Sequence, residues 1–177
     1  MDASHFVWQG FVGYLWCFAK IWFGSPTGRK RFTVLGALNA ITHELICVCT
    51  EGSVGAWKVV DLLWKLRKRF LKTGIPITII LDNASYQRCY LVQYTALLMG
   101  IELLFLPSYS PNLNLIERFW KLVKKSVLAT KEYATFSDFT TAIESFVARA
   151  HIDHKDELES LLTLRFQELP EVTKIAA

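Results

Sequence analysis

The sequence predicts an α/β fold in which antiparallel and parallel strands form one mixed sheet flanked by helices. Three observations predict it. β-rich runs crowd the first fifty residues, amphipathic helical patterns alternate with short apolar runs from residue 56 to residue 128, and the remainder is helical in pattern. Strands followed by helix, strand, helix, strand and helix require crossover helices, which lay the later strands parallel.

Taken in order, residues 5–8 begin as extended chain. Residues 11–23 continue as further strand or hairpin, up to a turn at residues 24–28 where two glycines and a proline cluster. Residues 32–41 and 45–50 are two β-rich runs around Thr42, His43 and Glu44, the pattern of an antiparallel hairpin. Residues 56–72 switch to the helical period, with Trp57, Val60, Leu63, Trp64 and Phe70 expected on the core face and Lys65, Arg67, Lys68, Arg69 and Lys72 mostly elsewhere. Gly74 and Pro76 end that helix. Residues 77–81 are nearly continuously apolar, as expected of a strand buried on both faces. Residues 85–99 form a second helix stopped by Gly100, residues 101–106 another strand and residues 107–111 a loop. Residues 114–128 form a third helix with Ile116, Phe119, Trp120, Val123 and Val127 as its buried stripe. Beyond residue 131 the chain is mainly helical and acidic.

A chain of 177 residues makes one domain with a sizeable core and leaves no room for a second. Hydrophobic residues at 52% and charged residues at 20% exclude disorder. The net charge of +4 is unevenly spread: up to Lys131 there are sixteen Lys and Arg against seven Asp and Glu, and beyond it four against nine. A basic body favours a polyanion partner, since phosphate contacts release condensed counterions; an ordinary solvated basic surface is the alternative. Cys17, Cys47, Cys49 and Cys89, with His5, His43, His151 and His154, show no zinc-ligand spacing, so the cysteines are expected as reduced, mostly buried thiols. No secretory signal is evident, which predicts a cytoplasmic protein. Residues 6–24 are nearly charge-free and close to the roughly 20 residues a membrane span needs. Lys20, Gln9, Gly10, Gly13 and the many aromatic side chains suit strands and turns instead, so no membrane partner is expected.

Two acidic residues stand where chemistry is easily mounted. Asp82 follows the nearly continuous apolar run of residues 77–81 at the C-terminal tip of a strand, a rigid mount for a Mg²⁺ ligand, although Asp82 and Asn83 could simply turn the chain. Glu117 falls at the third position of the helix that Asn114 begins. It could form a capping box with Asn114 or pair with Lys121, or else, on the flank of the buried stripe beside Lys121 and Lys124, meet a metal and a phosphate chain together.

The stretches LDNA at residues 81–84 and LPSYSPNLNLIERFW at residues 106–120, with thirty-four residues between Asp82 and Glu117, resemble the catalytic half of DDE-superfamily transposases of the mariner-like bacterial insertion-sequence group. DASHFV at residues 2–7 is similar to the segment bearing that family's first aspartate, and RFTVLGALN at residues 31–39 to its second strand. Ser108, Asn112, Leu115 and Gln87 depart from the commonest pattern, and none of them is a metal ligand. The resemblance implies a ribonuclease H-like sheet, with residues 1–131 as the catalytic domain and residues 132–177 as an acidic helical segment of the same domain. It implies Asp2, Asp82 and Glu117 as the catalytic ligands of two Mg²⁺ ions, with Mn²⁺ able to substitute, for cleavage and strand transfer at insertion-sequence ends. Arg29, Lys30, Arg31, Lys65, Lys68, Lys121, Lys124 and Lys125 would contact duplex DNA, both element ends and target, in a nucleoid-associated homodimer. The sequence opens one residue before Asp2, so the resemblance also implies that the strand bearing Asp2 lacks its upstream half. An end-binding helix-turn-helix region would then come from a frameshift fusion. A catalytically incomplete DNA-binding remnant is the alternative.

Overall fold

The computed structural model describes residues 1–8, 30–107, 114–129 and 131–164. In chain order these form β1 (Asp2–Trp8), β2 (Lys30–Leu38), β3 (Leu45–Thr50), α1 (Ala56–Phe70), β4 (Ile77–Leu81), α2 (Tyr90–Leu98), β5 (Ile101–Phe105), α3 (Leu115–Val127), α4 (Phe136–Asp153) and α5 (Lys155–Leu161). The elements expected at residues 11–28, Cys17, Arg29 and most of the 6–24 stretch and of the 107–111 loop lie outside the described residues. Among the described residues no helix is long and apolar enough to cross a membrane.

The hairpin is present: β2 and β3 pair antiparallel from Thr33 opposite Thr50 to Leu38 opposite Leu45. Asn39 builds its turn, its side-chain oxygen accepting from the backbone N–H of Ile41 at 2.8 Å and of Thr42 at 3.0 Å, while His43 takes up φ 58°. β1 pairs antiparallel with the other edge of β2, Asp2 opposite Gly36 through to Trp8 opposite Lys30. β4 and β5 run parallel, joined through α2. Gly74 and Gly100, at φ 64° and 60°, turn the chain beyond α1 and α2, in a conformation that any side chain would strain. The two ladders, β1-β2-β3 and β4-β5, meet where the Met1 nitrogen donates to the Ile80 carbonyl at 2.6 Å.

Apolar side chains divide between the two faces with the strand period of two. Phe32 and Val34 of β2 join Phe6 under α3, α4 and α5, whereas Leu35 joins Met1 and Val48 under α1 and α2. α1 and α3 therefore cover opposite sides of the sheet.

Four expectations are corrected. Trp57 and Trp64 are 71% and 62% exposed, and α1 buries Val59, Val60, Leu62, Leu63 and Leu66 instead. These five cluster on one side of the helix, and at 100° per residue both tryptophans fall on the other. β4 is covered on one face only: Ile80 is 44% exposed, because α3 and α4 pack over β1–β3 rather than over β4. α2 starts at Tyr90 rather than at residue 85. Residues 84–88 form turns, with the N–H groups of Gln87 and Arg88 both donating to the Ala84 carbonyl, and Gln87 is drawn into the interior. Cys47, Cys49 and Cys89 are free thiols but half-buried, the first two on β3, which has β2 on one side only, and the third at the N-cap of α2.

Candidate active site

Asp2 is the first residue of β1 and sits opposite Gly36. A Cβ on Gly36 would lie 2.8 Å from a Leu45 methyl and 3.2 Å from two ring atoms of Trp120. The bare backbone thus lets the Trp120 indole settle on the sheet next to Asp2. Trp120 Nε1 is buried and completes no hydrogen bond, yet its N–H lies near enough to Asp2 to favour the carboxylate. Burial nonetheless holds the Asp2 carboxyl above its ordinary pKa. A hydrogen bond from the Ala3 backbone opposes the shift, and the charge of Asp82 adds to it.

Asp82 directly follows β4. Its Oδ1 accepts from Asn114 Nδ2 at 3.0 Å, and Asn114 is buried at the N-cap of α3. No side chain caps α3, so the capping-box alternative is not realised, and the Asn114 side chain is instead oriented by its Nδ2 donating to Asp82. Asn83 Nδ2 donates to the Leu106 carbonyl, and the Leu106 N–H donates to Leu81 O at 2.8 Å, latching the C-terminal ends of β4 and β5 together.

Glu117 stands in the first turn of α3. Burial raises its pKa, the charges of Asp2 and Asp82 raise it further, and Lys121 opposes. The phenol of Tyr86 responds to the same acids: burial raises it, then Asp2, with Gln87 opposing and Asp82 adding. Burial brings the Met1 ammonium down to about 6 against the attraction of Asp2 and Asp82. β1, β4 and α3 thereby bring three acids, far apart in sequence, within reach of one another's charge. Among the described residues no three His, Cys, Asp or Glu side chains converge tightly enough to hold a metal ion as they stand. By chemistry the donor set fits a hard divalent cation: the donors are all carboxylate oxygens, and their mutual repulsion is what such a cation relieves.

Of the basic residues, Lys30 and Arg31 are exposed at the start of β2, with the Lys30 ammonium 5.3 Å from the Phe136 ring centre. Lys65 and Lys68 are exposed on α1, where Lys65 Nζ donates to Cys47 O at 2.9 Å. Lys121, Lys124 and Lys125 are exposed on α3, Lys124 lying 5.9 Å from the Phe6 ring centre. Only the α3 lysines continue the helix face that Glu117 begins. Sequence reasoning missed Asn114, Tyr86 and Gly36 as site residues and saw Trp120 only as core; the polar residues flanking each candidate acid were the available signal.

The chain matches the family model described as DDE superfamily endonuclease over residues 24–140, and it belongs to that family. The match includes Asp82 and Glu117 and starts after Asp2. Among solved structures it is similar to the Mos1 transposase paired-end complex with left transposon end, at TM-score 0.65 and 14% identity over 92% of this chain and 50% of that one. It is also similar to the Mos1 mariner paired end complex with Mn (TM-score 0.61, 12% identity, 91% and 52%) and to a pre-cleavage Mos1 transpososome (0.59, 12%, 95% and 55%). The shared fold is ribonuclease H-like. The chain spans about half the length of these chains. No curated protein matches it.

Proposed function

We propose that the chain is the catalytic domain of a DNA transposase that cleaves and joins strands at element ends, with Asp2, Asp82 and Glu117 holding two Mg²⁺ ions for which Mn²⁺ can substitute. The observation that carries this reading is geometric: α3, which bears Glu117, is tied at its N-cap to Asp82 by the 3.0 Å hydrogen bond from Asn114 and lays Trp120 against Gly36, the residue opposite Asp2. When bound, the metal lowers the pKa of an attacking water or 3′-hydroxyl and stabilises the leaving oxygen. Asn114 fixes one oxygen of Asp82. Trp120 packs on Gly36 and keeps water from one side of Asp2. Lys121, Lys124 and Lys125 lead away from Glu117 and meet phosphates without reading sequence. α4 and α5 belong to the same domain, since they complete the core beneath β1–β3.

The Mos1 complexes, described as paired-end assemblies with a transposon end and with Mn, support DNA as the partner; a duplex substrate and a homodimer as the working form belong to the same proposal. An end-binding helix-turn-helix region joined by frameshift fusion completes the proposal. The test is nicking of supercoiled DNA with Mg²⁺ or Mn²⁺. Activity should vanish in Asp82→Asn and Glu117→Gln while both variants melt as cooperatively as the parent, and cleavage persisting in both would overturn the assignment.

A second reading, a catalytically incomplete DNA-binding remnant, is favoured by the lack of a converged acidic trio among the described residues. Calorimetric titration with Mn²⁺ separates the two. Retained DNA binding with no metal uptake, and none even when DNA is present, favours the remnant.

A further inference from the structure

Cys47 and Cys49 are two residues apart on β3 and pair across to Gly36 and Val34 of β2. The strand period turns both thiols to the same face, where they pack against the core under α3 and α4. There the two stand within hydrogen-bonding reach of one another, and Cys49 also reaches the Glu144 carboxylate of α4. β3 ends its ladder, so this pair of free, half-buried thiols lies at an open sheet edge. Lys65 crosses that edge from α1, its Nζ donating to the Cys47 carbonyl at 2.9 Å, which brings an ammonium within Coulombic range of the Cys47 thiol.

The spacing decides what such a pair can do. Neighbours at i and i+2 of a strand carry Cβ atoms roughly 6.6 Å apart, from two rises of about 3.3 Å. A disulfide needs them about 3.5–4.5 Å apart, so the pair does not close on itself without bending β3 away from β2. A cation between the sulfurs meets no such obstacle, because two metal–sulfur bonds of about 2.3 Å let the sulfurs stay as much as about 4.6 Å apart. Zinc asks for four ligands, and among the described residues no group of three His, Cys, Asp or Glu side chains can hold a metal ion. The soft ion Cu(I) selects thiolates and is satisfied by two of them. We propose that Cys47 and Cys49 form a two-thiolate site for one Cu(I) ion at the open edge of β3, with the Lys65 ammonium balancing its charge. Binding exchanges two thiol protons for one cation and moves no electrons, so the occupied site carries one net negative charge. Lys65 offsets that charge, and Glu144, which opposes it, is exposed and screened by solvent. The site stands apart from the three candidate acids and is independent of the catalytic reading.

The full chain is titrated with Cu(I) without oxygen, against a competing Cu(I) chelator and in the absence of Mg²⁺, Mn²⁺ and DNA, so failure of the nuclease proposal leaves the result intact. The parent should take up one tightly held ion per chain, with thiolate-to-metal absorption in the ultraviolet. Cys47→Ser and Cys49→Ser should each lose that uptake. Cys17→Ser, Cys89→Ser and Asp82→Asn should keep it, and Lys65→Met should hold the ion severalfold more weakly. Alkylation followed by peptide mapping gives the same reading with no variant: one equivalent of Cu(I) should shield Cys47 and Cys49 and leave Cys89 as reactive as before. Uptake that survives in either Cys47→Ser or Cys49→Ser, that is lost in Cys17→Ser or Cys89→Ser, or that needs two chains per ion would overturn the proposal. So would shielding of Cys89 in place of the β3 pair, or an ion held as tightly in Lys65→Met as in the parent.

Discussion

Asn114 joins two of the three candidate ligands, because its amide holds Asp82 while its backbone starts the helix that carries Glu117. A hydrogen bond to a charged acceptor contributes about 1.5–3 kcal/mol, toward the lower end in a partly buried site. Asn114→Ala should therefore lower Tm by several degrees for a chain of this size. Asn114→Asp should be worse without metal, since it sets a further carboxylate against Asp82, and Mn²⁺ should restore more of its Tm than it restores in the alanine variant. Equal Mn²⁺ responses in thermal melts would show that Asn114 does not adjoin a metal site. A pH prediction belongs to the same scale. Asp2 and Glu117 both have folded pKa values above their ordinary ones, with burial the largest cause. Folding thus favours their protonated forms, and their contribution to stability is fully present below the ordinary carboxylate range and lost as pH rises through the raised values. In the metal-free protein, Tm of the parent relative to Glu117→Gln should accordingly fall as pH rises from acid to neutral. A difference that is flat, or that runs the other way, contradicts the shared electrostatics of the site.

At the scale of elements, helices and strands were legible where a single period dominated, but which face is buried was not always legible. α3 was read correctly because its buried residues form one stripe flanked by charge, and the structure adds only Leu122 to it. α1 misled because two large tryptophans seven residues apart imitate a core stripe, while the actual stripe of Val59, Leu62, Leu63 and Leu66 consists of smaller side chains. Leu63→Ala should then cost about 2–5 kcal/mol, and Trp64→Ser no more than about 0.5 kcal/mol; chemical denaturation of the two variants decides the matter, and comparable losses would return Trp64 to the core. The positions of Asp82 and Glu117 on their elements were legible for a similar reason, one at the tip of an apolar run and the other on the flank of a clear stripe. The function of Asn114 was hidden because an asparagine three residues before a glutamate reads equally well as a capping box. Tyr86 was hidden because it depends on residues 84–88 leaving the helical path, which follows from the burial of Gln87 and not from any local pattern.

At the scale of the molecule, the basic charge falls on two helices that the sheet separates, and a polyanion approaching the acids meets them unequally. A duplex laid along α3 from Glu117 comes close to Lys121, Lys124 and Lys125, whereas Lys65 and Lys68 lie across the sheet with the Lys65 ammonium engaged by the Cys47 carbonyl. Screening confines such contacts to within about 8–10 Å at ordinary salt, so the far lysines add little to a duplex held on the near face. Each phosphate contact contributes about 0.9 to the slope of log affinity against log salt. Replacing Lys121, Lys124 and Lys125 together by alanine should therefore flatten that slope by about 2 to 3, while replacing Lys65 and Lys68 should leave it nearly unchanged. Anisotropy titrations of a labelled duplex across a salt series read both slopes directly. If the α1 pair carried the dependence instead, the duplex would rest on the face that α3 does not reach, and Glu117 would be too far from its phosphates to serve as a ligand in their cleavage.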